Sequence, residues 1–471
     1  MAMDLSKFET LTPSLFTTFT IPNPISSTAA PLRIAVLDSP APPPSHPPQI
    51  AAMIVPSRRE RDWNFSTESG QLQLLYNSPG ISRLVLVGNV PESADDSTVI
   101  YNRCSENDCV ISEEDLIPLL VALSPKASFV NGYVDVPFLS YEDDLIASVV
   151  LEKCVGPFVG EMLVEDVEIE IKTDAEVNSG EGFKKREFRR RLRFRRMPNF
   201  VQTEIRIVPG REVGQEEHLG VCNFEFHVDL EALVHPYLGP MAASLKLISD
   251  CIEEKMRVGV RPRALCVGVG GGALLGFLKM QLDFIVVGIE VDEEVLRVSK
   301  DYFGMVEDEH LQLCVRDGMQ ELKRYGCTDE HSFGVHDAGG GVCCNGLGCK
   351  PKFDVIMVDL DSEDPMHGLM APPVPFVQRS VLKDVKLALQ KTGILVVNVI
   401  PPDDCYYKSL TNDFREIFAD LYEIDVGNEE NFVLIASASP VEPVSNNNNS
   451  YIVKKLKHPS LSQYAERIKK I

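Results

Sequence analysis

Four stretches in the second half of the 471-residue chain carry residue types that can hold an adenosine-bearing cofactor and react an amine beside it. Gly268-Val-Gly270-Gly271-Gly272 has almost no Cβ atoms, so its backbone can turn sharply and a ligand can approach it closely. A helix starting there would add free N–H groups. Glu290, Val291 and Asp292 bring a carboxylate suited to accept two ribose hydroxyls. Asp317-Gly318 offers an acceptor for the exocyclic amine of an adenine, or equally a cap for a following helix. Asp359, Asp361 and Asn398 form a third group of acceptors. Together they suit the capture of an ammonium and the steering of its lone pair after deprotonation; Asp359 counts as a cofactor contact as well.

These residues act together only if the chain folds as alternating strands and helices. Ala264–Val267 is a short apolar run, as expected of a buried parallel strand, and a helical pattern starts at Ala273. The next strands are expected at Phe284–Ile289 and Leu311–Val315, each ending at one of the carboxylate groups. A helix is expected at Met319–Tyr325, and the fourth and fifth strands at Asp354–Val358 and Gly393–Val399. Leu421–Val426 and Phe432–Ala436, joined by the turn Gly427–Asn431, read as an antiparallel hairpin. Nicotinamide-binding folds share the glycine loop and the acid after the second strand, but they continue with parallel strands. A closing hairpin marks the class I, S-adenosylmethionine-type sheet. The fold class expected is therefore α/β, with such a Rossmann-like sheet preceded by a mixed α/β accessory domain.

Composition sets the outer limits. The net charge of −23 repels nucleic acid and favours a basic partner. No apolar run is long enough to cross a membrane. Twelve cysteines without a regular framework suit free thiols in a reducing compartment, and the cytoplasm is the expected location. Residues 1–30 read as a flexible leader, too acidic for a typical transit peptide. Residues 31–208 read as the accessory domain, 221–440 as the Rossmann-like domain and 441–471 as a tail. Within the accessory domain, strands are expected at Leu32–Leu37, Ser82–Val87 and Ala147–Leu151, and an acidic helix near Glu113–Ala122. Lys184–Arg196 holds nine basic residues on an alternating pattern, a strand with one cationic face that is either paired with acids or free to dock a partner. Cys343, Cys344, Cys349, His331 and His336 lie in a glycine-rich insertion, where adjacent cysteines chelate one tetrahedral ion poorly, so no metal is expected. His235-Pro-Tyr237 either walls the cofactor pocket or simply packs.

With these residues placed, the chain resembles the methyltransferase-like protein 13 family, dual methyltransferases of translation elongation factor 1-alpha. The likeness rests on Val55-Pro-Ser-Arg-Arg-Glu60 with Trp63, Ser82-Arg-Leu84, Pro137-Phe-Leu-Ser140, Arg189-Arg-Arg191 and Val201-Gln-Thr-Glu204. It continues through the glycine loop, Glu290-Val-Asp292, Asp317-Gly318 and Asp359-Leu-Asp361-Ser362. The matching domain is similar to the family's C-terminal module. That implies an S-adenosylmethionine-dependent N-methyltransferase whose partner is a protein substrate, elongation factor 1-alpha, modified on its N-terminal α-amine. Asp361 and Asn398 occupy the family's substrate-binding positions. The family's lysine-methylating module has no counterpart in the residues matched. The same domain also resembles spermidine synthase, which transfers an aminopropyl group. That enzyme has an Asp directly after its glycines, where Ala273 stands here, and a shorter Asp-Ser-Ser-Asp-Pro in place of Asp359–Pro365. An aminopropyl transferase and a non-catalytic scaffold remain the alternatives.

Overall fold

The computed structural model describes residues 5–24, 30–43, 46–90, 100–103, 112–171, 185–212, 224–326, 351–362, 371–428, 431–441, 451–456 and 459–471. The insertion that holds Cys343, Cys344, Cys349, His331 and His336 lies outside these residues, as does Lys184. Two compact units result: Met1–Lys153 with Glu161–Val201 and Arg211–Glu225, and Cys154–Gly160 with Gln202–Gly210 and Phe226–Ile471.

The first unit is built on β1 (Phe16–Ile21), β2 (Leu32–Asp38), β3 (Gln49–Ile54) and β4 (Ile81–Asn89), in the order β1-β2-β4-β3. β2 runs antiparallel to β1 and β4, whereas β3 runs parallel to β4. Because successive side chains alternate faces, Leu32, Ile34 and Val36 pack with Leu116 and Leu120 of the helix Glu113–Ala122. Ala35 and Leu37 pack on the other face with Leu74 and Leu75 of the helix Glu68–Tyr76. Both faces are covered, so β2 and β4 are apolar almost throughout.

The one charged residue in β4 is Arg83, which is fully buried. Its Nε donates to Asp38 Oδ1 at 2.5 Å and its Nη2 to Oδ2 at 2.8 Å. The remaining donors reach the carbonyls of Phe8, Leu123 and Thr10 at 2.7, 2.7 and 3.0 Å. Arg83 thus ties the N-terminal segment and the end of the acidic helix to the sheet.

The unit also holds β5 (Ile100–Asn102), β6 (Leu145–Gly156), β7 (Gly160–Ile171) and β8 (Lys185–Phe194), neighbours in the order β8-β7-β6-β5. β8 is the basic strand, and its Arg186, Arg189, Arg190 and Arg193 pair with acids. Arg190 grips Asp166 at 2.6 and 2.9 Å, and Arg186 meets Glu168 at 2.9 Å. Arg193, itself buried, bridges Glu165 at 3.2 Å and Asp62 at 2.8 Å. Arg193 and Arg59 hold the Asp62 carboxyl well below its usual range, outweighing its burial.

The second unit opens with Gln202–Gly210 of β9 (Val201–Glu212), beside β10 (Phe224–Val228). Its main sheet contains β11 (Arg263–Val267), β12 (Ile285–Glu290), β13 (Leu311–Val315), β14 (Phe353–Val358), β15 (Leu389–Val399), β16 (Asp420–Asp425), β17 (Phe432–Ser437) and the short β18 (Lys469–Lys470). Their order is β13-β12-β11-β14-β15-β17-β16-β18. The first five are parallel, and β17 is antiparallel to both β15 and β16. This is the class I methyltransferase sheet with its closing hairpin. β14 is buried at every position, and its core continues through Leu382, Val385 and Phe414 of the covering helices. Strand order reverses between β11 and β14, which opens a crevice at their carboxyl ends, the place where open α/β sheets bind ligands.

Arg83→Met should destabilise the protein by about 3–5 kcal/mol, because it leaves Asp38 charged, buried and unpaired. Urea unfolding measures the loss. The double variant Arg83→Met with Asp38→Asn should recover part of it, and no recovery would show that packing rather than charge is at stake.

Candidate functional site

The crevice holds a pocket lined by Cys266, Gly268, Val269, Ala273, Met357, Asp359, Gln202, Thr203, His235 and Tyr237, with three leucines. The glycine loop forms its floor. Gly268 has φ +89, and a Cβ there would collide with the Asp359 carbonyl oxygen. At Gly270, with φ +51, a Cβ would meet Thr203 Oγ1 at 2.6 Å. The same Thr203 oxygen accepts from Gly271 N at 2.8 Å, so β9 closes over the loop.

Glu290 ends β12 and lies against this loop. Its Oε2 accepts from Val269 N at 3.1 Å, and its Oε1 from Val291 N at 3.0 Å and Asp292 N at 3.3 Å. Burial pushes its carboxyl upward while these amides pull it back. Val291 follows, with its side chain exposed. Asp292, fully buried, is committed elsewhere: its Oδ1 caps the helix Glu293–Phe303 through Glu294 N at 3.0 Å. Its Oδ2 receives the amides of Phe158 and Val159, both at 2.9 Å. Asp317 acts as a helix cap, accepting from Met319 N at 2.8 Å and Gln320 N at 3.2 Å. Gly318 starts that helix against Val267, where a Cβ would lie 2.5 Å from Cγ1.

The acceptor group is assembled by strand register. Val358 pairs with Val397 in the parallel ladder, which brings Asp359 and Asn398 side by side just beyond it. Asn398 Nδ2 donates to Asp359 Oδ1 at 3.3 Å. Asn398 Oδ1 accepts from Asn431 Nδ2 at 2.9 Å, and Asn431 Oδ1 from Asn428 Nδ2 at 2.7 Å. The Tyr237 hydroxyl donates to Asp359 from the other side. Burial pushes the Asp359 carboxyl up to about 7, with the Asp361 charge adding to it and the two donors opposing. Burial and Asp359 also lift the Tyr237 hydroxyl and the Cys266 thiol well above their ordinary values.

Of the residues singled out in the sequence, Gly268 and Asp359 line the pocket, Gly270, Gly271 and Gly272 continue the same loop with Glu290 bonded to it, and the buried Asn398 bonds Asp359, whose carboxyl also feels the Asp361 charge. His235 and Tyr237 do wall the cavity. Asp364, read from the sequence as a turn residue, lies outside the described residues. Two contributors had no individual signal in the sequence, and a third, Gln202, stood out only as part of the Val201–Glu204 stretch that carries the family resemblance. Asn428 and Asn431 read only as turn residues. Gln202 lines the cavity with a buried Nε2 that has no hydrogen-bond partner, a donor left for a ligand.

No family model matches the chain. It is 26% identical over 427 residues to the eEF1A lysine and N-terminal methyltransferase of Homo sapiens, covering 87% of this chain and 54% of that protein. Against the Danio rerio protein of the same name it is 28% identical over 409 residues, 83% of this chain and 51% of that one. The chain thus spans about half the length of the curated relatives it matches. A polyamine aminopropyltransferase of Thermoplasma acidophilum is 27% identical over 136 residues, 28% of this chain and 41% of its own length. Among solved structures, human methyltransferase-like protein 13 in complex with SAH shares 23% identity, 49% of this chain and 93% of that chain, at a TM-score of 0.39. A probable spermidine synthase from Corynebacterium glutamicum shares 15%, 65% of this chain and 87% of its own, at 0.41. The family likeness read from the sequence therefore extends over most of the chain.

An Asp ionises near 3.9 in an unfolded chain but near 7 at position 359. The folded state binds this proton more tightly, so its stability falls as pH rises from about 4 to about 7 and stays lower above that. Asp359→Asn cannot ionise, and its melting temperature should gain on the parent more at pH 8 than at pH 5. Scanning calorimetry in the two buffers checks this; an equal gain at both would mean that Asp359 titrates normally.

Proposed function

We propose that this chain is an S-adenosylmethionine-dependent N-methyltransferase that modifies a protein α-amine, that of elongation factor 1-alpha, in the cytoplasm. The carrying observation is the Asp359 carboxyl, near pKa 7, held by Asn398 and Tyr237 at the mouth of the glycine-loop crevice. The named activity of the curated relatives supports the substrate. The residues present fit the cofactor: a loop that side chains would fill, a carboxylate at its edge and an unused amide donor on Gln202. When bound, that cofactor supplies a methyl group on a sulfonium.

The chain's own residues then align and deprotonate the amine. Asp361 draws in the ammonium, and Asn398, fixed by Asn431, orients it. Asp359 takes the proton. An α-amine has a pKa near 7.7–8.0, so a carboxyl poised near 7 is well matched to it. Lysine, near 10.4, costs about 3.5 kcal/mol more to neutralise. On this reading Glu290 holds the loop in shape and meets the ribose hydroxyls with its remaining acceptor capacity, and Asp317 borders the adenine while capping its helix.

Asp361→Ala should abolish transfer while leaving affinity for S-adenosylhomocysteine within a few fold. A peptide bearing the substrate's free N-terminus should be methylated and its N-acetylated twin should not. Mass spectrometry of the two peptides decides this, and methyl groups on the acetylated twin would mean a side-chain methyltransferase. Formation of 5′-methylthioadenosine from decarboxylated cofactor and putrescine would instead mean an aminopropyl transferase.

Gln202→Leu, which removes the unused donor but keeps the volume, should weaken S-adenosylhomocysteine binding about tenfold, roughly 1.4 kcal/mol. Calorimetry that finds equal affinity would place Gln202 outside the cofactor site.

A further inference from the structure

The first unit contains a second pocket, open to solvent, which the activity proposed above does not use. Arg33 of β2, Gln71 of the helix Glu68–Tyr76, Glu60 and Asn89 supply its polar lining, and Val55, Phe65 and Leu86 are among its apolar walls. Its polar groups are unevenly satisfied. Gln71 is 1% exposed, and its Nε2 donates to the Phe65 carbonyl, yet its Oε1 has no hydrogen-bond partner. Arg33 makes one long bond, Nη2 to the Ser66 carbonyl at 3.4 Å, and among the described residues it forms no ion pair. Glu60 keeps Oε1 on Asn89 Nδ2 at 3.1 Å and has its other oxygen to offer.

We propose that this cavity binds a small zwitterion of the α-amino-acid class, with its carboxylate on Arg33 and its ammonium between Glu60 and Gln71 Oε1. A guanidinium fork matches a carboxylate through two parallel bonds. An ammonium has three donors, enough for a carboxylate and an amide oxygen together. A cation and an anion line this cavity without pairing with each other, and a buried acceptor stands empty beside them. Such groups are costly to leave in place unless a ligand completes them. A ligand of one charge would neutralise one side and leave the other, whereas a zwitterion answers both. Burial, which holds the Arg33 guanidinium below its ordinary value, is the strain a bound carboxylate would relieve.

The test is calorimetric titration of the full chain with the common free amino acids, followed by the Nα-acetyl and the carboxamide forms of the best binder. At least one free amino acid should bind, and each blocked form should bind about tenfold more weakly or worse. Arg33→Gln and Glu60→Gln, with folding checked by circular dichroism, should each lose a similar factor. Asp361→Ala, in the other unit, should leave the binding unchanged. The proposal is overturned if no amino acid binds, if both blocked forms bind as well as the free one, or if Asp361→Ala removes the binding. Should Arg33→Gln fail to fold, Glu60→Gln and the blocked forms still decide.

Discussion

The Asp359 carboxyl meets two opposing demands. β14 is buried along its whole length, so the side chain that follows it enters a dry surrounding. The same position faces the crevice where the strand order reverses, and there an acidic group is useful. A carboxylate can stay in such a place only if donors answer it. Asn398 and Tyr237 do so, and each must itself be fixed. Asn398 is held by Asn431, and Asn431 by Asn428 in the hairpin turn. One carboxyl thus commits the end of β15, the segment before the first helix of the domain and the turn between β16 and β17. The hairpin that identifies the fold also clamps the site.

How far the sequence disclosed this depended on the kind of signal. Strands rich in apolar residues appear as runs, so the sequence places Leu311–Val315 correctly to the residue and β11, β12 and β14 to within one. β15 begins four residues earlier than its apolar run, at Leu389, because Gln390, Lys391 and Thr392 break the pattern on an exposed stretch. Glycine and carboxylate positions were legible because few residue types suit them. The asparagine chain was not. Asn428 and Asn431 look like ordinary turn residues, and only the antiparallel register of β17 with β15 brings them to Asn398. Gln202 was hidden for a similar reason, since it lies far from the glycine loop in the chain and reaches it only by tertiary packing.

The acids of the motif illustrate a second limit. A carboxylate after a strand and before a helix suits a ligand and suits a helix N-terminus equally well, because both present N–H or O–H donors. Asp292 is wholly spent on the second role, with a hairpin tip taking its other oxygen. Asp317 caps its helix through one oxygen and keeps the other lightly used, 3.5 Å from the Gln320 amide. Glu290 is shared between the glycine loop and its own strand end. Spacing alone ranks these three as equals. Their remaining capacity to accept separates them, and that depends on neighbours far away in the chain.

The same accounting separates the cations of the first unit. The charge pattern of the basic strand β8 fits either acid pairing or a docking face, and the acids of β7 and Asp62 draw Arg186, Arg190 and Arg193 into pairs. Arg83 goes further: fully buried, it satisfies its guanidinium with one carboxylate and three carbonyls, and so it serves as a structural tie. Arg33 sits one strand away, on β2, facing Gln71 and Glu60 across a cavity, and has a single long bond to a carbonyl. Arg83 is fully buried and Arg33 only partly so, but exposure is not the main difference. What distinguishes them is whether the fold completes the group, and an incomplete polar group beside open space marks where something else is meant to bind.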